Sequence, residues 1–198
     1  MKILLATRNT HKVTEIRQIF APLTNLTLLS ADECPGLPAE VEEDADTFEG
    51  NALKKARTLC DASGLWTLSD DSGLEVLALH GAPGIYSARY AGPGCTYAEN
   101  NRKLLQALEG VSDRRARFRC VIALCAPDGR QWTVEEICNG EIGYEPKAGG
   151  GFGYDPLFIP EGYDRTFAEL DPAVKNRISH RGNALRKAFE AWRDLLGS

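Results

Sequence analysis

Several stretches of this 198-residue chain place side chains in spacings that suit phosphate and metal chemistry. The sharpest is Asp70-Asp71-Ser72-Gly73, which follows a short apolar run at residues 65–68. Adjacent acids repel one another, and a nearby cation or a bound proton relieves that cost. Magnesium prefers oxygen ligands and commonly takes one or two carboxylates together with substrate phosphates; a solvated Asx-turn is the competing account of the same residues. A second acidic stretch, Glu42-Glu43-Asp44-Ala45-Asp46, could bring another carboxylate to the same cation, although acids ahead of a helix are also favoured by its dipole. Thr7-Arg8-Asn9-Thr10-His11-Lys12 lies between an expected strand and an expected helix. Free N–H groups and the positive dipole end of a helix suit phosphate, and Lys12 would add a point charge in the first turn. A plain capped turn with a solvated lysine explains the same residues. Near the C-terminus stand Phe152-Gly153-Tyr154-Asp155, Lys175 and Ser179-His180-Arg181. Glycine lets a backbone approach a ligand closely, and Phe152 and Tyr154 could stack on a base, with core packing as the alternative for Phe152. Ser179 suits an N-cap, yet His180 and Arg181 in the next turn oppose the helix dipole, which favours a ligand role for them.

The elements that must position these groups follow from periodicity. Residues 2–6 read as a buried strand, and Thr10 as the N-cap of a helix that carries Val13, Ile16 and Phe20 on one face. A second strand is expected at residues 26–29. Asp46, with Glu49 three residues on, reads as a capping box for a helix whose face holds Phe48, Ala52, Ala56, Leu59 and Cys60. Residues 65–68 read as a strand that stops at the acidic turn, and residues 81–94, rich in Gly and Pro, as a loop. A helix is expected at 97–108. Alternation at 117–125 and 131–137 around Pro127-Asp128-Gly129 marks a hairpin. From about Arg181 the stripe Leu185, Ala188, Phe189, Trp192 and Leu195 predicts an amphipathic helix. Early alternation of strand and helix, followed by a hairpin, predicts an α/β protein with a mixed sheet and two lobes rather than a doubly wound parallel sheet.

Composition narrows the function classes. The chain is 43% hydrophobic and 26% charged, as expected for one globular domain. Its net charge of −5 disfavours a nucleic-acid polymer as partner, which needs a basic face, but not a single nucleotide. The six cysteines form no C-x-x-C pair, so a zinc ribbon or a thioredoxin-like site is not expected. They read as reduced and mostly buried, in a cytoplasmic protein without a signal peptide or membrane span. No G-x-x-x-x-G-K phosphate loop and no G-x-S-x-G elbow is present, and the three histidines, His11, His80 and His180, suggest no serine triad.

Taken in order, six pieces resemble the inosine triphosphate pyrophosphatase family. They are Ala6-Thr7-Arg8-Asn9-Thr10-His11-Lys12, Thr47-Phe48 with Asn51-Ala52, Asp70-Asp71-Ser72-Gly73-Leu74, Gly81-Ala82-Pro83-Gly84-Ile85-Tyr86-Ser87-Ala88-Arg89-Tyr90, Gly150-Gly151-Phe152-Gly153-Tyr154-Asp155-Pro156 and Ser179-His180-Arg181-Gly182. The resemblance implies one two-lobed domain over residues 1–198, an elongated mixed β-sheet with flanking helices around a nucleotide cleft, and a homodimer. It implies magnesium-dependent hydrolysis of ITP, dITP or XTP to the monophosphate and pyrophosphate. By the same resemblance Thr7, Arg8, Asn9, Thr10, His11 and Lys12 would hold the triphosphate. Asp71 would bind magnesium and serve as the general base, with Glu42 as the second acidic ligand and Glu43 beside it as the alternative. Ser72 would touch substrate, Phe152, Gly153, Tyr154 and Asp155 would frame base and sugar, and Lys175, His180 and Arg181 would complete the pocket. A donor from His180 or Arg181 would favour a 6-keto purine over ATP. One departure is Gly50, where many relatives carry Glu before Asn-Ala. The competing readings are a pyrophosphatase for modified pyrimidine nucleotides and a nucleotide sensor without turnover.

Overall fold

A computed structural model describes residues 1–197. Its elements are β1 (Lys2–Leu5), α1 (Thr10–Phe20), β2 (Thr27–Ser30), α2 (Phe48–Ser63), β3 (Trp66–Val76), α3 (Tyr97–Ala107), β4 (Arg115–Cys125), β5 (Gln131–Ile142), β6 (Phe158–Pro160), α4 (Pro172–Ile178) and α5 (His180–Gly197). The strands form one six-stranded sheet in the order β2-β1-β3-β4-β5-β6. β1 pairs in parallel with β2 and β3, whereas β5 and β6 are antiparallel. The mixed α/β sheet expected from the sequence is therefore present.

The chain separates into two compact units. Unit 1 comprises residues 1–71, 120–136 and 181–198, and unit 2 comprises residues 72–119 and 137–180. In unit 1, Val13, Ile16 and Phe20 of α1 and Ala184, Leu185, Ala188 and Trp192 of α5 pack with Ile3, Leu5 and Leu68 of the strands. Each fully buried large aliphatic side chain contributes roughly 1.5–3 kcal/mol, which fixes both helices to this core. Unit 2 has its own core of Leu74, Val76, Leu104, Phe118, Tyr154, Phe158 and Phe167. Among the described residues no helix is long and apolar enough to cross a membrane, and all six cysteines are free thiols.

Several local expectations are corrected. The acidic segment is no turn. β3 runs straight through it, and residues 67–71 are all buried. The cap of α1 is Asn9, not Thr10: its Oδ1 accepts the N–H groups of His11 (3.0 Å) and Lys12 (3.4 Å) from an extended backbone. The cap of α2 is Thr47, not Asp46, and its Oγ1 accepts the Gly50 N–H at 3.0 Å. Glu49 closes no capping box there; its carboxylate accepts the Thr133 hydroxyl at 2.7 Å. β5 continues past residue 137 to pair with β6, a short strand the alternation did not reveal. α4 was also unforeseen, although Asp171 caps it through the Ala173 N–H and Pro172 opens it.

Candidate active site

In unit 1 the extended backbone of β3 sends successive side chains to opposite faces, so Asp70 and Asp71 enter different surroundings. Asp70 is 4% exposed. Lys12 Nζ lies 3.0 Å from Asp70 Oδ1 and 2.9 Å from Oδ2, and Arg181 Nε donates to Oδ2 at 3.1 Å. Burial would raise the Asp70 carboxyl, but the charges of Lys12, Arg181 and Lys55 outweigh it and hold the group well below the usual carboxylate range. Arg181 is itself buried, and its Nη1 lies 3.5 Å from Glu15.

Asp71 is held differently. Its Oδ1 lies 3.4 Å from Lys55 Nζ, while its Oδ2 is buried and has no hydrogen-bond partner among the described residues. Burial raises its proton affinity, Lys55 opposes that rise, and the charges of Glu43 and Asp70 reinforce it. Lys55 Nζ also donates to Glu43 Oε1 at 2.7 Å, so one ammonium links two carboxylates. Burial would depress Lys55, but Asp71, Asp70 and Glu43 together raise it, which keeps it charged. The acidic stretch thus delivers Glu43 toward Asp71, whereas Glu42 is exposed.

Residues 37–47, which carry Glu43, form no helix or strand and are tied down at several points. Asn51 is fully buried, and its Oδ1 accepts the Ala45 N–H at 3.0 Å. Lys54 pairs with Asp44 at 2.5 Å. Arg8, expected on phosphate, donates instead to the carbonyls of Pro38 and Ala39 and lies 3.2 Å from Asp32. Thr7 Oγ1 accepts the Asn9 N–H at 3.1 Å. Because Asn9 already engages the His11 and Lys12 N–H groups, the Lys12 ammonium rather than those amides is the donor in this turn best suited to phosphate. Thr10 and His11 are exposed at the start of α1.

Unit 2 gathers the aromatic set. Asp155 Oδ2 accepts the Phe152 N–H at 2.7 Å and pairs with Lys175 Nζ at 2.5 Å. That turn passes through Gly151 at φ 91°, where a Cβ would stand 2.2 Å from Asp155 Oδ2, so glycine is required. Lys175 Nζ sits 5.0 Å above the Phe152 ring centroid, and Tyr97 approaches the same ring at 6.4 Å. Asn101 Nδ2 donates to the Gly153 carbonyl at 3.0 Å. Tyr154 is corrected: its ring belongs to the core and its hydroxyl donates to the Ser87 carbonyl at 2.9 Å, so it does not stack on a base. The buried His180 ring is stacked on Phe118 at 4.5 Å. Ser72, half-buried on β3, follows Asp71 directly.

This geometry meets an independent comparison with known proteins. The Ham1 family model matches residues 3–191. The chain belongs to the Ham1 family. A dITP/XTP pyrophosphatase of Desulforamulus reducens is 54% identical over 96% of this chain and 94% of its own. One from Geobacter sulfurreducens is 50% identical over 93% and 92%. Among solved structures, a HAM1 protein from Coxiella burnetii superposes with a TM-score of 0.92 at 41% identity, covering 98% of this chain and 99% of that one. A nucleoside-triphosphatase/dITP/XTP pyrophosphatase from Mycobacterium abscessus gives 0.79 at 41% identity, with coverage of 95% and 97%. The resemblance read from the six motifs is borne out.

For this Ham1 family chain, sequence reasoning missed Lys55 and Asn51. A signal for Lys55 was available: it adjoins Ala56 on the face of α2 that carries Ala52 and Leu59, and its side chain is only 12% exposed. A lysine that deep needs paired acids. Asn51 was quoted only as a motif letter.

Proposed function

We propose that this chain hydrolyses non-standard purine nucleoside triphosphates (dITP, XTP and ITP) with water to the nucleoside monophosphate and pyrophosphate. The observation that carries the reading is Asp71. It is a buried acid with raised proton affinity and one unpartnered oxygen, set beside Lys55 and Glu43 on the strand that also anchors Lys12. Two adjacent carboxyls with opposite shifts mark a division between an electrostatic anchor and a proton acceptor. The names of the relatives supply the substrate class.

The donors at Asp71 and Glu43 fit magnesium. The Asp71 Oδ2 atom lacks a partner, and the ion commonly needs only one or two carboxylates beside phosphate and water oxygens. Among the described residues no group of three or more His, Cys, Asp or Glu that could hold a metal ion gathers. Bound there, magnesium would neutralise phosphate oxygens. Asp71 orients the attacking water and accepts its proton, a role that its raised proton affinity favours and a bound cation weakens. Lys12 and Lys55 stabilise charge on the transferred and leaving oxygens. Phe152 offers a face to the base, Lys175 holds the turn around it, and His180 is the candidate donor to a 6-keto oxygen. A homodimer in the cytoplasm belongs to the same proposal, supported by the resemblance and by six free thiols; light scattering in solution tests the dimer.

The deciding experiment measures pyrophosphate release from ITP, dITP, XTP, GTP, ATP and modified pyrimidine triphosphates, with and without magnesium. Fast, magnesium-dependent release from the first three is expected. Preference for pyrimidines would favour the related enzyme class, and no release from any nucleotide would favour a sensor.

A further inference from the structure

Asp70 and Arg181 have no part in the chemistry assigned above, yet with Lys12 they form the most deeply buried ionic group in unit 1. The side chain of Asp70 is 3% exposed and that of Arg181 is 6% exposed. Lys12 reaches Asp70 from the first turn of α1, and Arg181 from the first turn of α5. One ammonium contacts both oxygens of a single carboxylate, so the long Lys12 side chain is confined to one direction. An ammonium has three donor hydrogens. With Asp70 as its anchor, Lys12 keeps a remaining donor for a second anion. Arg181 in turn confines the carboxylate, since its Nε points at Oδ2 and its Nη1 is steadied by Glu15.

We propose that Asp70 is a positioning residue that aims the Lys12 ammonium at the substrate phosphates, with Arg181 steadying the Asp70 carboxylate. The inference rests on the phosphate role given to Lys12 above. It makes a prediction of sign. As a charge alone, Asp70 repels phosphate, so Asp70→Asn should tighten anion binding. As an anchor it does the reverse: freed from Asp70, Lys12 loses its aim and anion binding weakens.

The test is titration calorimetry of the full-length protein with inorganic pyrophosphate, which needs no turnover, together with steady-state kinetics on XTP. For Asp70→Asn the dissociation constant for pyrophosphate should rise about 10- to 100-fold, the scale of one charge-assisted hydrogen bond. KM for XTP should rise more than kcat falls. In a Lys12→Met background the same substitution should add little, because its effect passes through Lys12. The paired variant Asp70→Asn with Arg181→Gln removes both charges of the buried pair, at the loss of the Arg181 contact with Glu15. It supplies a folded protein if the single variant does not fold, and should match Lys12→Met in affinity. Unchanged or tighter pyrophosphate binding by a folded variant, or losses that add fully in the double variant, would overturn the proposal. Wild-type protein that binds pyrophosphate but hydrolyses no nucleotide would overturn the enzymatic reading while leaving Asp70 testable by binding alone.

Discussion

Asp70 and Asp71 are neighbours in sequence and differ in almost everything else. Asp70 meets Lys12 and Arg181, and its carboxyl is driven down. Asp71 meets one ammonium at 3.4 Å, keeps an oxygen without a partner, and has its carboxyl driven up. The cause is the strand: side chains one residue apart face opposite ways, so a single peptide bond separates a satisfied ion from an unsatisfied one. A satisfied buried charge serves structure, whereas an unsatisfied one persists at a cost to stability and is available for a ligand.

The largest effect is expected at Asp71. Asp71→Asn keeps the shape and removes both the proton acceptor and a metal oxygen. Loss of a general base alone lowers rates about 10²- to 10⁴-fold, so pyrophosphate release from XTP should fall at least that far. Near-normal turnover would end the assignment.

Asp70→Asn should lower stability as well as anion affinity. It leaves Arg181 buried beside a neutral amide, and breaking such a buried pair costs about 3–5 kcal/mol. At about 2–4 °C per kcal/mol for a chain of this size, thermal melting should show it plainly. The pH dependence has a definite sign. The folded pKa of Asp70 is depressed, so its stabilisation is complete above the ordinary value of 3.8 and is lost as pH falls through the folded value. The gap in stability between wild type and variant should therefore narrow below about pH 4. A constant gap would mean that the ion pair is not its source.

The reverse sign applies to Asp71. Its folded pKa is raised, so the protonated form is the one that folding favours, and that contribution is present below pH 3.8 and lost as pH rises through the folded value. Above its folded pKa the ionised group is a burden without metal. Metal-free Asp71→Asn should melt a few degrees higher than wild type while being inactive. A lower melting temperature would show that the contacts of Asp71 with Lys55 outweigh its desolvation.

Much of this architecture was legible in the sequence. The stripes of α1, α2 and α5 needed only helical periodicity, since those faces bury Val13, Ile16, Ala52, Ala56, Leu185 and Ala188. The hairpin of β4 and β5 needed only alternation around a turn. What failed was local propensity where long-range charge decides. Ser, Asp, Asp, Ser and Gly are poor strand formers, yet Lys12 and Arg181 lie 58 and 111 residues away and make a buried strand tolerable there. Nothing in a linear reading weighs that. Lys55 escaped for the same reason, because its partners Glu43 and Asp71 lie 12 and 16 residues away. The caps were missed by one residue, as Asn9 and Thr47 stand beside equally good candidates.

The smallest effect is expected at Arg8. Arg8 belongs to the motif that should hold phosphate, but its guanidinium holds the Pro38 and Ala39 carbonyls and Asp32 instead. Its side chain is 41% exposed and that of Asp32 is 61% exposed, where an ion pair is worth about 0–1 kcal/mol. Arg8→Met should therefore change the melting temperature by no more than about 4 °C. Its effect on function should run through the tethered segment that carries Glu43, on the Asp71 side, rather than through the Lys12–Asp70 side. The expected result is a higher magnesium requirement with pyrophosphate affinity in metal-free buffer nearly unchanged. A large drop in metal-free pyrophosphate affinity would instead return Arg8 to the phosphate cradle.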